Sequence, residues 1–133
     1  EVIREPNDGY WSNVWNNDAK GWCACYWGGR PAETMMFSAA YVAESKWNDT
    51  MWKTTDSAVK FNQLVKDARK ELDESKKRDI LYECQRLIYD DGGLLCPLFN
   101  SYVSANSKKI AHGKIAANWD SDGAKCVERW WFA

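Results

Sequence analysis

The chain has 133 residues, a formal net charge of −1 at pH 7, and hydrophobic side chains at 45% of its positions. This length suffices for a globular domain that buries roughly two thirds of the surface of its unfolded chain. The near-neutral charge gives no electrostatic reason to expect a nucleic acid or an anionic membrane surface as a partner. No apolar stretch approaches the ~18 residues of a membrane helix, so we expect no membrane span in this segment.

The first part of the chain predicts short strands separated by aromatic and glycine-rich turns. Residues 1–15 begin with a strand at Val2-Ile3 and break at Pro6-Asn7-Asp8-Gly9 into a turn rich in aromatic residues. Residues 21–41 predict a second short strand, a glycine-rich turn and an apolar run. The following stretch, 47–56, is polar and aromatic, and its tryptophans are expected to pack beside the next helix.

Two amphipathic helices follow, separated by a tight break. Apolar residues recur at three- and four-residue steps in both, which places one apolar stripe along each helix. Asp73 can cap the second helix through its carboxylate, and Gly92-Gly93 ends it, since glycine adopts the left-handed helix stop without steric cost. The stripes consist of Ala58, Phe61, Leu64, Val65, Ala68 and Leu72 in the first helix, and of Ile80, Leu81, Cys84, Leu87 and Ile88 in the second.

The last part of the chain predicts the sheet that the helices cover. Leu94-Leu95-Cys96 forms an apolar run ahead of Pro97 and indicates a buried strand, and residues 102–105 indicate another. The predicted fold is therefore α/β, with two antiparallel helices packed on a mixed sheet. No repeat, linker or low-complexity tract marks a boundary, so residues 1–133 are expected to form a single region.

The five cysteines carry the main alternative chemistry. Cys84 and Cys96 lie in apolar patterns and are expected to be buried small side chains. Cys23 and Cys25 form a Cys-x-Cys pair, which leaves a thiol oxidoreductase as an alternative function. A metal site normally needs four Cys or His ligands, and the only histidine, His112, is distant in sequence. We therefore expect no metal and no cofactor.

Residues 21–31 combine three large aromatic side chains, two glycines and an arginine, a composition that suits the wall of a ligand pocket. Aromatic faces pack against a ligand, glycine lets the backbone approach it, and arginine binds an anion. Packing of the aromatic rings in a core, with a solvated arginine, is the simpler alternative. The candidate ligand-binding residues are Trp22, Cys23, Cys25, Tyr26, Trp27 and Arg30.

The order of helix, break, helix, double glycine and strand over residues 61–99 resembles one family. It is similar to the C-terminal part of the bacterial solute-binding proteins that serve peptide, nickel, opine and oligosaccharide ABC importers. The resemblance implies the C-terminal portion of the larger lobe of a two-lobed periplasmic binding protein with the type II fold, and a longer chain of which this is a fragment. It further implies a periplasmic carrier, with no enzymatic activity, that delivers a small solute to an ABC permease.

A second part of the resemblance concerns the candidate pocket. Residues 22–26, Trp-Cys-Ala-Cys-Tyr, are similar to the family motif Trp-Cys-Ala-Asp-Tyr, in which the aspartate holds the α-ammonium of a peptide and the backbone pairs with the ligand. Here Cys25 occupies the aspartate position, and a neutral thiol does not replace a carboxylate. An ordinary free-amine peptide is thus not expected, unless Glu33 or Asp18 restores the anchor. Arg30 favours a solute that carries an acid.

Further short motifs extend the resemblance over essentially the whole chain. They look like a subset of the class known chiefly as predicted peptide transporters. The implied partners are a peptide, opine or oligosaccharide-like solute, an ABC permease, and the remainder of the same solute-binding protein. An aromatic-rich carbohydrate-binding module is the alternative outside this class. The motifs are Gly28-Gly29-Arg30-Pro31, Met36-Phe37-Ser38, Trp47-Asn48 and Glu128-Arg129-Trp130-Trp131-Phe132.

Overall fold

The computed structural model describes residues 1–17, 19 and 21–133, and these pack as two compact units. Unit 1 comprises Glu1–Trp27 and Ala32–Leu95, and unit 2 comprises Gly28–Pro31 and Cys96–Ala133. Helices and one small antiparallel sheet make up the regular structure, which agrees with the predicted α/β class at this coarse level. The elements are α1 (Asn7–Asn13), α2 (Glu33–Ala40), α3 (Asp56–Lys70), α4 (Glu74–Asp91), β1 (Ile110–His112), α5 (Asp120–Ala124), α6 (Cys126–Arg129) and β2 (Trp130–Phe132).

Helices α3 and α4 begin and end at the residues whose chemistry favours those boundaries. Thr55 caps α3, because its hydroxyl accepts a hydrogen bond from the Ala58 N–H at 3.2 Å. Asp73 caps α4 by accepting hydrogen bonds from the N–H groups of Ser75 and Lys76. Beyond α4, Gly93 has a φ of +71°, a left-handed conformation that glycine adopts without strain. The predicted cap and the predicted stop of the second helix are both confirmed.

The two helices run antiparallel and enclose the core of unit 1. The Asp91 carboxylate at the end of α4 accepts hydrogen bonds from Thr55 and Ser57 at the start of α3, so opposite ends of the helices meet. Halfway along, Lys60 pairs with Glu83 at 2.6 Å. Helix α2 and the loop after it close the core. The buried core residues are Phe37, Trp52, Ala58, Phe61, Val65, Cys84 and Leu87.

The mixed sheet expected beneath the helices is not present among the described residues. The segments predicted as strands, at Val2-Ile3, after Gly21, at 94–96 and at 102–105, adopt no strand pairing there. A strand exists only where a neighbour pairs with its backbone, and these segments have no such neighbour in the described part of the chain. For the same reason Cys96, predicted to be buried, is exposed.

One residue of the predicted apolar stripe lies elsewhere than expected. Helix α3 ends at Lys70, so Leu72 falls in the connection and is 91% exposed. The prediction that Cys84 is buried is confirmed, since it lies in the core of unit 1 with no accessible surface.

Among the described residues, no helix is both long and apolar enough to cross a bilayer.

Unit 2 is organised by a buried carboxylate beside a two-stranded antiparallel sheet. Strands β1 and β2 place His112 opposite Trp130, and their rings stack with centroids 5.0 Å apart. Asp122 is only 3% exposed and accepts hydrogen bonds from the Ala116 N–H at 2.6 Å and from Trp130 Nε1 at 3.0 Å. Its carboxylate also pairs with Arg129 at 3.0 Å. These contacts stabilise α5, whose residues 121–124 all have positive φ.

We expect unit 2 to lose stability in acid. The hydrogen bonds from the Ala116 N–H and the Trp130 indole, together with the positive charge of Arg129, hold the pKa of Asp122 below its ordinary value. A carboxyl whose pKa is lowered on folding stabilises the fold above its unfolded pKa, and this stabilisation is lost as the pH falls through the native pKa. The Trp130 indole N–H resonance should therefore move on acidification below about pH 4.

The matched variants for this prediction are Asp122→Asn and Asp120→Asn. The first cannot ionise, so its Trp130 resonance should be displaced at neutral pH and should show no further acid transition. The second removes an exposed carboxylate and should behave as wild type. A wild-type Trp130 resonance that stays constant down to about pH 2 would contradict the assigned role of Asp122.

Candidate functional site

The candidate site in unit 1 is centred on the Asp49 carboxylate. Its Oδ2 atom accepts hydrogen bonds from Trp15 Nε1 at 2.7 Å and from Trp27 Nε1 at 3.2 Å. The Cys25 thiol donates to the same oxygen at 3.5 Å. Three neutral donors from two distant parts of the chain therefore converge on one carboxylate oxygen.

The loop after α2 holds Asp49 in place. The adjacent residue, Asn48, is fully buried, and its Nδ2 donates to the carbonyl groups of Tyr41, Val42 and Trp52 at 3.1 to 3.3 Å. A second contact ties this loop to the segment after α1, because Asn16 Nδ2 donates to the Lys46 carbonyl at 2.7 Å. The carboxylate is thus supported by buried hydrogen bonds on the side of the core.

The two indole groups that donate to Asp49 belong to a connected set of aromatic rings, and we call Tyr10, Trp11, Trp15, Tyr26 and Trp27 the aromatic cluster. Trp11 lies at its middle, with its ring centroid 5.2 Å from Tyr10, 5.6 Å from Trp15 and 6.1 Å from Tyr26. Trp15 and Trp27 are 6.3 Å apart. Most of these pairs are edge-to-face, the geometry that aromatic quadrupoles favour. Helix α1 thus supplies the rings that pack against the segment 21–27.

Residues 21–27 combine exposed rings with an unpaired backbone. Trp22 is 74% exposed and Tyr26 is 76% exposed, so both rings are open to solvent. Within the described residues, no backbone-to-backbone hydrogen bond involves this segment, and its one backbone partner is the Tyr10 hydroxyl, which donates to the Ala24 carbonyl at 2.7 Å. The core position that the simpler alternative gives to Trp22 is therefore wrong.

The environment of Cys25 does not favour a reactive thiolate. Although the residue keeps an exposed surface, partial burial and the neighbouring Asp49 carboxylate raise the pKa of its thiol to about 12. An activated cysteine needs the opposite, a pKa lowered by a cation or a helix N-terminus. Cys23, Cys25 and the other three cysteines are all free thiols.

We expect slow alkylation of Cys25 at neutral pH. Because its pKa is raised to about 12, it should react at least about tenfold more slowly than an unperturbed thiol. Peptide mapping by mass spectrometry after timed iodoacetamide treatment separates this residue from the other cysteines. Asp49→Asn, which removes the neighbouring negative charge, should accelerate labelling of Cys25.

The exposed Cys96 provides the internal reference for this measurement, since it is labelled in the same sample. Fast labelling of Cys23 or Cys25 at about pH 6 that disappears when the other cysteine is replaced would contradict the prediction. That outcome would favour the thiol oxidoreductase.

Arg30 belongs to unit 2, whereas the other five predicted ligand-binding residues belong to unit 1. Its Nη1 donates to the carbonyl groups of Gly28 at 2.6 Å and Gly29 at 3.3 Å. The guanidinium also lies 5.4 Å from the centre of the Trp119 ring. One nitrogen of the Arg30 guanidinium is therefore occupied by hydrogen bonds within its own loop. The predicted contact of Arg30 with an acidic solute stays a prediction.

Sequence reasoning passed over Asp49 as an anchoring residue. The Trp15 and Asp49 positions are 34 residues apart, and no local pattern links them. The only signal was the position of Asp49 directly after Trp47-Asn48 in a polar, aromatic stretch. Of the two acids considered as anchors, Glu33 is exposed at the first position of α2, and Asp18 lies outside the described residues.

No group of three Cys, His, Asp or Glu side chains within the described residues is arranged to hold a metal ion. Comparison of the chain with protein-family models, with curated proteins and with solved structures finds no match. The site is therefore interpreted from its own geometry.

Proposed function

We propose that the chain is the C-terminal segment of the solute-binding component of an ABC importer, located in the periplasm. In this proposal it contributes the C-terminal portion of the larger lobe of a two-lobed binding protein of the type II fold. It captures a peptide-like, opine-like or oligosaccharide-like solute, acidic ones included, between the lobes and delivers it to the permease. The role is carriage, without catalysis, and closure of the two lobes traps the solute.

The observation that carries this proposal is the segment 21–27. Exposed rings at Trp22 and Tyr26 supply ring surface, and the unpaired backbone supplies N–H and C=O groups that an extended solute can pair with. Residues 21–27 are exposed or half-buried, so an extended solute can reach these backbone groups and pair with them as an added strand does. Ligand pockets combine such apolar surface with a few fixed polar groups, and the Asp49 carboxylate is one.

Exposed apolar residues in extended segments support the part of the proposal that concerns the remainder of the protein. In unit 1, Val2 is 99% exposed, and in unit 2, Phe99 is 94% exposed and Val103 is 93% exposed. Apolar surface of this extent in strand-like sequence favours pairing with further strands. In our proposal, these strands belong to the same solute-binding protein and complete the mixed sheet.

We expect the 133-residue chain alone to bind peptides or sugars more weakly than micromolar. A solute-binding pocket usually buries about 70–90% of its ligand, and one wall of a cleft buries much less. Isothermal titration calorimetry with a dipeptide, its N-acetylated form and an oligosaccharide measures this directly. The longer polypeptide that contains the second lobe should bind at least one solute of these classes with micromolar affinity or better.

The same titration separates the proposal from a self-contained module. Micromolar binding of an oligosaccharide by the 133-residue chain would contradict the two-lobe proposal and favour a carbohydrate-binding module, for which the 74% exposure of Trp22 is the supporting observation. Failure of the longer polypeptide to bind any of the probes would contradict the role in solute capture.

A further inference from the structure

The carboxylate of Asp49 is held in place by hydrogen bonds, and no cation among the described residues pairs with it. All three of its hydrogen bonds reach Oδ2, and none from the described residues reaches Oδ1. The donors are two indole N–H groups and a thiol, which fix the direction of the carboxylate but, being neutral, do not compensate its negative charge. Among the described residues, the side chain of Asp49 takes part in no ion pair.

Two acids elsewhere in the structure are paired with cations, whereas Asp91 also accepts only from neutral groups, those of Trp52, Thr55 and Ser57. Glu83 pairs with Lys60 and Arg86, and the buried Asp122 pairs with Arg129. The lysine nearest to Asp49 in sequence, Lys46, places its Nζ 5.1 Å from the centre of the Trp47 ring instead. A partly buried carboxylate without a cation is unfavourable, and a bound cation removes this cost.

The aromatic cluster adds attraction for the same kind of ligand. Trp15 and Trp27 direct the positive edges of their rings, through Nε1, at the carboxylate. The negative faces of the neighbouring rings are the surfaces that attract an organic cation. Trp11 is 47% exposed and Tyr26 is 76% exposed, so solvent and solute reach these two rings.

We infer that Asp49 and the aromatic cluster bind the ammonium group of an organic cation whose apolar body packs on the exposed rings. This inference rests on the proposed function, because it names the class of solute that the importer component captures. The ammonium donates to the carboxylate of Asp49 and lies against the faces of Trp11 and Tyr26. The bound solute is therefore a cation at this position, and not the acid that Arg30 alone favours.

The test uses a charged probe and a neutral probe of nearly the same shape. Phenethylammonium and N-acetylphenethylamine are titrated separately into the ¹⁵N-labelled chain at millimolar concentrations. The indole N–H resonances of Trp15 and Trp27 report directly on Asp49, since both groups donate to it. The charged probe should shift both resonances in a saturable manner, and the neutral probe should not.

The variants distinguish an effect of the Asp49 charge on binding from an effect of the substitution on folding. Asp49→Asn retains an acceptor oxygen for the indole groups and should weaken binding of the charged probe by about tenfold or more. Asp79→Asn removes an exposed carboxylate from α4 and should leave the affinity within about twofold. Trp11→Leu removes one ring face and should weaken the charged probe several-fold, which keeps the test decisive if Asp49→Asn does not fold.

Two results overturn the inference. Equal shifts from the charged and neutral probes would show that the rings alone bind, and undiminished binding by folded Asp49→Asn would show that the carboxylate is structural. These outcomes are distinguishable from failure of the proposed function. If the longer polypeptide captures a solute and Asp49→Asn does not change its affinity, only the role of Asp49 is contradicted. Cation binding by the 133-residue chain, with no solute captured by the longer polypeptide, removes only the importer role.

Discussion

Replacing Phe61 with alanine is expected to lower the free energy of unfolding of unit 1 by about 3–5 kcal/mol. Phe61 lies on α3 with no accessible surface, and its ring contacts those of Phe37 and Trp52 at centroid distances of 5.6 and 5.1 Å. The substitution removes the transfer free energy of the ring and leaves a cavity that helices cannot close without moving. Urea unfolding followed by far-UV circular dichroism measures the effect.

Val59→Ala is the matched control on the same helix. Val59 is 60% exposed, so its truncation should change the free energy of unfolding by less than about 0.5 kcal/mol. Equal effects of the two substitutions would mean that α3 presents a different face to α4 than the structure shows.

The second large effect is expected at Asn48, where replacement by alanine should cost at least about 2 kcal/mol of stability. The Nδ2 of Asn48 donates to three carbonyl oxygens, and its Oδ1 accepts from the Thr50 hydroxyl at 3.0 Å. Removing the amide leaves these buried groups without their partner, which is more costly than the loss of an exposed hydrogen bond. The same urea titration applies.

Asn48→Asp sharpens this prediction because it keeps the size of the side chain. It replaces the donor with an oxygen that faces three carbonyl groups, so we expect a larger loss than for alanine. Asn100→Ala, at an exposed position, should have an effect below about 0.5 kcal/mol. Because Asn48 supports the loop that carries Asp49, its loss should also broaden the Trp15 and Trp27 indole resonances. Unchanged stability in both Asn48 variants would contradict this role.

The helix pair could be predicted from sequence because its signals are local. The spacing of apolar residues, the cap at Asp73 and the glycine stop at Gly93 each act within one or two helical turns, and the structure agrees with all three. The error at Leu72 concerns the helix boundary. The spacing of apolar residues continues to Leu72, two residues beyond the end of α3 at Lys70.

The predicted strands were wrong for a different reason. Apolar runs such as 94–96 have strand-like composition, but strand formation depends on a partner that composition does not reveal. The sheet that does form joins Ile110–His112 to Trp130–Phe132, and the sequence signal for β1 was too short to be noticed.

At the candidate site, the aromatic composition of residues 21–27 could be read from the sequence, but the nearby Asp49 carboxylate could not. Trp22, Cys23, Cys25, Tyr26 and Trp27 were selected for their composition, and their role in binding stays a prediction. The replacement of an expected aspartate by Cys25 argued against a cationic solute. The structure places the Asp49 carboxylate 3.5 Å from the Cys25 sulfur, so a carboxylate is present there although residue 25 is not an aspartate.

The sequence by itself determined the α3 and α4 helices and the aromatic character of residues 21–27, because propensity, capping and hydrophobic period act between near neighbours. Only the tertiary structure decided which carboxylate accepts the hydrogen bond of the Trp27 indole group. Trp27 and Asp49 meet across 22 residues of chain and Trp15 and Asp49 across 34, through side-chain hydrogen bonds that depend on the packing of α2 and its following loop. Contacts of this kind are set by the closure of the fold, and no local pattern encodes them.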